Sequence, residues 1–469
     1  MFMDERKITE AIARVVKEQD LPGVSVCVRS PEGIAYEHQF GIRDMERRVP
    51  VDRDTMFGIA SMSKSITALA ACILHAEGKL DIDDPVVKYF PQFRVPGNPK
   101  DAVTLRHLCR HTAGMPPMEP LEWSIAMNSQ RRDCDWLRQN RASSPNQMDT
   151  IEQIIDYVAH CPYPTLGAPG EVMSYSNEGY AILSYVVDMA AGEPLEDFCM
   201  ERIFRPLGMT RTVMDSGTAK AKALAKGNIT VLFEKEDGVC YVDDDWSTCP
   251  PFRGCAMVKS TAPDMAAYYQ ALSLGGMHEG AQAIPKAAVE LLIGEEYPVT
   301  GLDVYCLGLN KFRKFGHVFC EHAGGLHGVS TKGGLIKDEG WGFAVLCNSS
   351  DEDMDDILWI LYSAALGLPL DSCFRRFAAV GRDFSEPEML LGDFTAHEGI
   401  ASHLHVRLRD GRLVGDNGDR EVELRWCGGT RFLGYVSPES KAPVNRCEFL
   451  VRNGSAWGVR VGTRVYQRD

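Results

Sequence analysis

Residues 57–70 read FGIASMSKSITALA, with Ser61 three places before Lys64 at the front of an apolar-striped segment. From Ile66 the apolar positions run Ile66, Leu69, Ala70, Ile73 and Leu74, the spacing of one helix face. Gly78 suits the left-handed residue that closes a helix. The pattern predicts a helix with Ser61 at its start and Lys64 one turn later on the same side. Backbone N–H groups in a first turn lack intrahelical acceptors, so that of Ser61 can face an oxyanion. The Lys64 amine lies within reach of the Ser61 hydroxyl. A lysine serves as a base only while neutral, a form that burial and nearby positive charge favour. The same residues also read as a capping serine and a surface lysine. Ser61 is, however, the only serine in the chain with a lysine three residues on.

The chain has 469 residues, 45% hydrophobic and 25% charged, the composition of a globular protein large enough for more than one core. With 65 acidic against 50 basic side chains the net charge is -15, which argues against a nucleic-acid partner. A small-molecule or peptide substrate remains open, because a pocket can differ in sign from the whole. The 15 cysteines run from Cys27 to Cys447 without a C-x-x-C pair, fitting free thiols rather than a disulfide framework or zinc site. The opening "MFMDERKITEAIARVVKEQ" is charged and amphipathic and has no apolar leader core. No stretch approaches the ~18–20 apolar residues of a membrane span. A cytoplasmic location without membrane contact is the expectation; the oligomeric state is open, a homo-oligomer included.

Along the chain, Ile8, Ile12, Val15 and Val16 predict a helix over residues 8–18. Two strands around Pro31-Glu32-Gly33 follow, then helical stretches such as "TLRHLCRHT" and "TIEQIIDYVAHC". Strands return in "DVYCLGLNKF", "HVFCEHAGG", "STKGGLIKDE" and "WGFAVLCNSS", and "MDDILWILYSAAL" closes with a helix. This is an α+β pattern around one largely antiparallel sheet. From Leu390 onward short alternating strands, among them Leu404/Val406/Leu408, are broken by Asp410-Gly411, Asn417-Gly418 and Asn453-Gly454, dipeptides that favour tight hairpins. The expected organisation is a catalytic domain over 1–370, a linker over 371–385 containing "FAAVGRDFSEPE" in part, and a small antiparallel barrel or sandwich over 386–469.

Two further stretches bear on chemistry. "PGEVMSYSNEGYAILSYVV" sets Tyr175 and Asn177 before a helical stripe. Either they cap and pack that helix, or Tyr175 shuttles a proton beside Lys64 and Asn177 donates to a substrate amide. "HVFCEHAGGLHGVSTKGG" places His322, Ala323, Gly324 and Gly325 at a strand end, where glycines mark a close approach to the backbone. A substrate lying along that edge would take main-chain hydrogen bonds, with Gly325 N–H as a second oxyanion donor.

Together, S-x-x-K at a helix start, Y-x-N in mid-chain and H-x-G on a late strand resemble the serine β-lactamase and penicillin-binding-protein superfamily. The likeness is to its class C β-lactamase-like branch, with D-stereospecific peptidases, DD-carboxypeptidases, amidases and family VIII esterases, the peptidase S12-like group. "TLRHLCRHTAGMP", "PGEVMSYSNEGY" and "PLGMTRTVMD" look like that branch, and the resemblance covers about residues 5–368. It implies Ser61 as acylated nucleophile, Lys64 and Tyr175 as the general base/acid pair, and Asn177 as the residue orienting substrate. It implies the Ser61 and Gly325 N–H groups as oxyanion hole, and His322 and Gly324 as the third motif at the substrate. No cofactor or metal is implied, and some members carry a lipocalin-like barrel, similar to the reading of the C-terminal residues. One departure is that His322-Ala323-Gly324 stands where class C β-lactamases carry K-T-G. The lysine's fixed charge is thereby missing, since histidine is mostly neutral near pH 7. The expectation is therefore a peptidase or amidase on small amides, some containing a D-residue, ahead of an esterase or weak β-lactamase. A catalytically silent penicillin-binding sensor is the competitor from another class.

Among weaker signals, Asp243, Asp244, Asp245 and Trp246 form a run that reads as a solvated loop or, alternatively, as a selector of cationic substrates. His107 and His111, four apart, lack a third metal ligand and read as structural. His403 and His405 share a strand face and likewise lack one.

Overall fold

In the computed structural model the described residues are 3–129, 135–236, 239–243, 246, 248–294, 296–299, 303–350, 352–437, 439–440 and 442–469. The strand Gly23–Ser30 fixes the architecture. Its sequence GVSVCVRS is buried on both faces, as a strand in the middle of a covered sheet must be. Val24, Val26 and Val28 point to one apolar cluster and Cys27 to another, the period-two alternation of a strand. It pairs antiparallel with Gly33–Asp44 on one side and with Trp341–Cys347 on the other, so the start of the chain joins the end of its first unit. The result is a nine-stranded sheet. Beyond Trp341–Cys347 it runs outward through Val329–Ile336, His317–Leu326, Asn310–Lys314, Asp303–Tyr305 and Tyr297–Pro298.

The helices Glu5–Glu18 and Asp355–Leu366 cover one face, where Ile8, Ile12, Phe319, Phe343, Ile357 and Leu361 belong to one core. Asp4 starts the first of these helices by accepting from Lys7 N–H, three residues before the predicted start. The helices Ser63–Ala76 and Ala262–Ser273 belong to the larger core on the other face. Ser63–Ala76 is not the half-exposed helix that its stripe predicts: every residue from Ser63 to Leu74 is buried. It is packed among the helices Lys286–Gly294, Asn177–Ala191 and Arg253–Ala256, and its polar side chains are satisfied. Thr67 Oγ1 donates to Gly254 O at 2.6 Å and Ser65 Oγ to Met62 O at 2.9 Å.

"DVYCLGLNKF" is a hairpin rather than one strand, because Gly308 turns the chain with φ of +81°. The hairpin tip presses on the Ser63–Ala76 helix: a Cβ at Gly308 would lie 3.1 Å from Lys64 O.

Residues Gly392–Arg468 form a closed eight-stranded antiparallel barrel in which Gly392–Ala396 pairs with both Ser402–Arg409 and Arg464–Arg468. Of the alternating residues, Leu404 and Val406 enter the barrel core, whereas Leu408 near the strand end is exposed. Asp410-Gly411 and Asn453-Gly454 make the tight turns the sequence predicts, with φ values of 51°, 78°, 53° and 75°. Among the described residues no helix is long and apolar enough to cross a membrane.

Candidate active site

Ser61 lies on a short 3-10 turn, Ala60–Met62, immediately before the helix that carries Lys64. The preceding Ala60 holds φ of +43°, unusual for a residue with a side chain. That sharp entry leaves Ser61 half-buried at the rim of a cavity of about 530 Å³, while Lys64 is fully buried beneath it. Three oxygens surround Lys64 Nζ: Ser61 Oγ at 3.1 Å, Asn177 Oδ1 at 2.9 Å and Cys255 O at 3.1 Å. An ammonium donates to all three. A neutral amine donates to two and accepts the Ser61 proton, so the arrangement accommodates both states.

Ser176 caps the Asn177–Ala191 helix by accepting from Gly179 N–H at 3.1 Å, which leaves Asn177 in the first turn and free to face Lys64. Tyr175 stands just outside the helix, with Lys64 Nζ 4.7 Å from its ring centroid. Its hydroxyl is buried and meets no hydrogen-bond partner among the described residues. Such a group is costly to leave unpaired unless something else supplies the partner.

His111, which the sequence offers only as a structural residue, stacks on Tyr175 at 4.1 Å between centroids. Its Nδ1 accepts from Ser176 N–H at 3.0 Å, so Nε2 carries the proton and faces Tyr305 Oη at 3.2 Å. Tyr305 Oη lies 3.2 Å from His322 Nε2, and His322 Nδ1 lies 2.5 Å from Ala323 O. A carbonyl only accepts, so Nδ1 donates and Nε2 accepts from Tyr305. The chain of donors is thus oriented from end to end. Burial, with Lys64 nearby, pushes His322 down to about 3, and burial likewise holds His111 well below the usual imidazole value. Both ring nitrogens of His322 are engaged inside the protein.

The third stretch forms an open edge. Asn310–Lys314 pairs with His317–Leu326 only as far as Glu321, so among the described residues 322–326 have no strand on that side. Gly324 is where the backbone is approached closely, as its type suggests. A Cβ there would lie 2.2 Å from Ile59 O and 2.4 Å from Thr331 Oγ1. Gly325 is exposed, opens to free space and, with Ser61, Tyr175 and His322, lines the cavity. The structure therefore brings together Ser61, Lys64, Tyr175, Asn177, His322, Gly324 and Gly325, which are spread over 265 positions of sequence.

Two residues of the barrel, without any local signal in the sequence, also reach this place. Glu398 accepts from Asn177 Nδ2 at 3.0 Å, and Arg464 grips Glu398 through Nε and Nη2. The Arg464 guanidinium lies 4.2 Å from the Tyr175 ring centroid. Burial opposes its charge, but the Glu398 carboxylate more than offsets that and holds its pKa above the ordinary value.

The other sequence signals lie elsewhere. His107 Nδ1 accepts from Thr104 N–H in a capping box, and His403 and His405 contact Thr395 and Asp393. No group of His, Cys, Asp and Glu among the described residues has the arrangement of a metal site. Asp244 and Asp245 lie outside the described residues, and Trp246 is buried against Ala60, Leu232 and Val329.

A family profile described as Beta-lactamase matches residues 8–367. The chain belongs to the beta-lactamase family. It is 28% identical over 212 residues to penicillin-binding protein 4* of Bacillus subtilis, a match covering 45% of this chain and 42% of that one. The chain spans about half the length of the curated relatives it matches. In fold it is similar to the octameric penicillin-binding protein homologue from Pyrococcus abyssi, with TM-score 0.67, 21% identity and 99% of both chains covered. It is also similar to a D-stereospecific amidohydrolase from Streptomyces sp., with TM-score 0.62, 20% identity, 78% of this chain and 100% of that one. The nine-stranded sheet with its flanking helices is the fold of this family, and the barrel follows it.

Proposed function

We propose that this protein is a serine hydrolase that cleaves small amides or peptides, some carrying a D-residue, through an acyl-enzyme on Ser61. The observation that carries the reading is the buried Lys64 Nζ against Ser61 Oγ, with the unpartnered Tyr175 hydroxyl on the same cavity wall. In the first half-reaction Ser61 Oγ bonds to the substrate acyl carbon while its proton passes to the Lys64–Tyr175 pair. The Ser61 and Gly325 N–H groups hold the oxyanion. The C–N bond breaks as Tyr175 returns the proton to the leaving amine. Water then attacks the acyl carbon, gives a proton to the same pair, and releases the acid as Ser61 Oγ is reprotonated.

The preference for amides over β-lactams rests on His322. A ring with both nitrogens engaged and a pKa near 3 supplies no fixed charge for a substrate carboxylate. The D-residue preference rests on likeness to a D-stereospecific amidohydrolase. We further place the boundary between catalytic unit and barrel in 371–385, and propose a cytoplasmic enzyme that forms homo-oligomers.

The test is turnover of D- and L-amino-acid p-nitroanilides, p-nitrophenyl esters and a chromogenic cephalosporin by the wild type and Ser61→Ala. Amide or peptide turnover abolished in Ser61→Ala, with cephalosporin slow, is expected. Turnover that survives Ser61→Ala, or cephalosporin outpacing every amide, overturns the reading.

A further inference from the structure

We infer that Glu398, carried by the barrel, is a positioning residue of the catalytic centre: it fixes the Asn177 amide and through it the Lys64 amine. The inference rests on the proposed serine-hydrolase reading and assigns the barrel a part in it.

An asparagine amide can turn over, exchanging oxygen for nitrogen, unless its neighbours forbid it. Here both ends are specified. The carboxylate of Glu398 only accepts, so it takes the Asn177 Nδ2 hydrogen at 3.0 Å. Asn177 Oδ1 is thereby turned toward Lys64, whose Nζ donates to it at 2.9 Å. Without Glu398 the orientation rests on the Lys64 side alone, and a neutral amine, which also accepts, no longer forbids the reversed amide. The same contact takes one of the two Asn177 Nδ2 hydrogens and leaves the other for a substrate, so the hold on Lys64 does not compete with substrate binding.

The barrel is built to hold Glu398 there. Arg464, on the strand Arg464–Arg468, clamps the carboxylate through two nitrogens, and its third, Nη1, donates to Thr463 Oγ1 at 3.0 Å. The backbone beside it is tied to the Tyr175 segment. Tyr175 N–H donates to Thr463 O at 2.9 Å and Val465 N–H to Ser174 Oγ at 3.2 Å. Gly399 lets the Glu398 loop seat in the catalytic unit: its φ is +75°, and a Cβ there would lie 2.9 Å from Glu122 Cγ. Four contacts from one end of the barrel thus converge on residues 174–177 and their helical neighbours.

The experiment measures kcat and KM on the best amide found above, with thermal unfolding, for the full chain and for Glu398→Ala, Glu398→Gln, Asn177→Ala and the Glu398→Ala/Asn177→Ala pair. Misplacing one catalytic group costs as much as about 100-fold in rate, so Glu398→Ala is expected to lose about tenfold or more in kcat with KM within about twofold. Glu398→Gln keeps an oxygen for Asn177 and is expected to recover most of that loss. In the pair, Glu398→Ala adds little to Asn177→Ala, because both act through one amide. An active wild type with an unchanged Glu398→Ala, or independent losses in the pair, overturns this inference alone. Should Glu398→Ala fail to fold, Glu398→Gln decides: kcat within about threefold of wild type supports the inference, and a tenfold loss overturns it. A wild type inactive on every amide and ester overturns the functional reading, and this inference with it.

Discussion

Tyr175 and His322 show how neighbouring polar side chains are put to different uses. The Tyr175 hydroxyl is buried without a partner among the described residues, so removing it relieves a desolvated group rather than breaking a contact. Tyr175→Phe is therefore expected to leave thermal stability unchanged or slightly raised while kcat falls by about 100-fold or more; unfolding curves and steady-state kinetics on one preparation check both. His322 is instead satisfied at both nitrogens and kept neutral. Between an unfolded value near 6.5 and a folded value near 3, the unfolded chain binds the extra proton. Stability from this residue is thus complete above about pH 6.5 and is lost as pH falls toward 3, by about 1.4 kcal/mol per pH unit. His322→Asn is expected to flatten that acid limb in urea unfolding; an unchanged slope contradicts the neutral assignment. Ser61, Lys64, Tyr175 and His322 were legible as residues because their types and spacing are rare in combination. His111 was legible only as a structural residue, because nothing in its spacing ties it to Tyr175. Its stacking on Tyr175 appears only once residues 111 and 175 are folded together.

At the scale of elements, the site depends on one strand edge and one turn. Gly324 and Gly325 are adjacent yet have opposite surroundings. A methyl group at Gly324 runs into Ile59 O, in the segment that leads to Ser61, whereas one at Gly325 meets open space. Gly324→Ala is expected to cost roughly 1–3 kcal/mol by overpacking and to lose activity with stability. Gly325→Ala is expected to keep its unfolding midpoint but raise KM, because its methyl group enters the cavity. Equal midpoints for the two variants contradict this division. Most strands were readable from period-two alternation and turn dipeptides. The motif helix was only half readable: its five-residue stripe implies a polar outer face. Other helices surround that face as well, where Thr67 bonds Gly254 O and Ser65 bonds Met62 O and Tyr268 Oη. The Gly308 hairpin was hidden because a single glycine within an apolar run does not declare a turn.

For the whole molecule, the contact between the barrel and the catalytic unit includes buried charges. Asp303, 1% exposed, accepts from Arg376 Nε at 2.7 Å and from Arg446 Nη1 of the barrel at 2.6 Å. Asp303→Asn takes the carboxylate from Arg446 and one of two from Arg376, which keeps Glu321 at 3.4 Å, and is expected to destabilise the chain by about 3 kcal/mol; calorimetry checks it. Beside Glu398, burial raises Glu178 to about 7 and Glu122 to about 8. From about pH 4.5, their ordinary value, up to those values, the folded chain keeps protons that the unfolded chain releases. Stability from them is present at low pH and lost as pH rises through 7 and 8, opposite in sign to His322. Glu122→Gln and Glu178→Gln are expected to flatten the fall in stability between about pH 4.5 and 8. None of this was legible in the sequence, because Asp303–Arg446 and Asn177–Glu398 are pairings across 143 and 221 residues with no pattern to mark them.

The central claim, an activated Ser61, is tested most directly by intact-protein mass after exposure to a fluorophosphonate, beside a Ser61→Ala control. A single adduct mapped to Ser61 and absent from the control is the expected result. Folded wild-type protein that takes up no label, or labels equally in both, contradicts it.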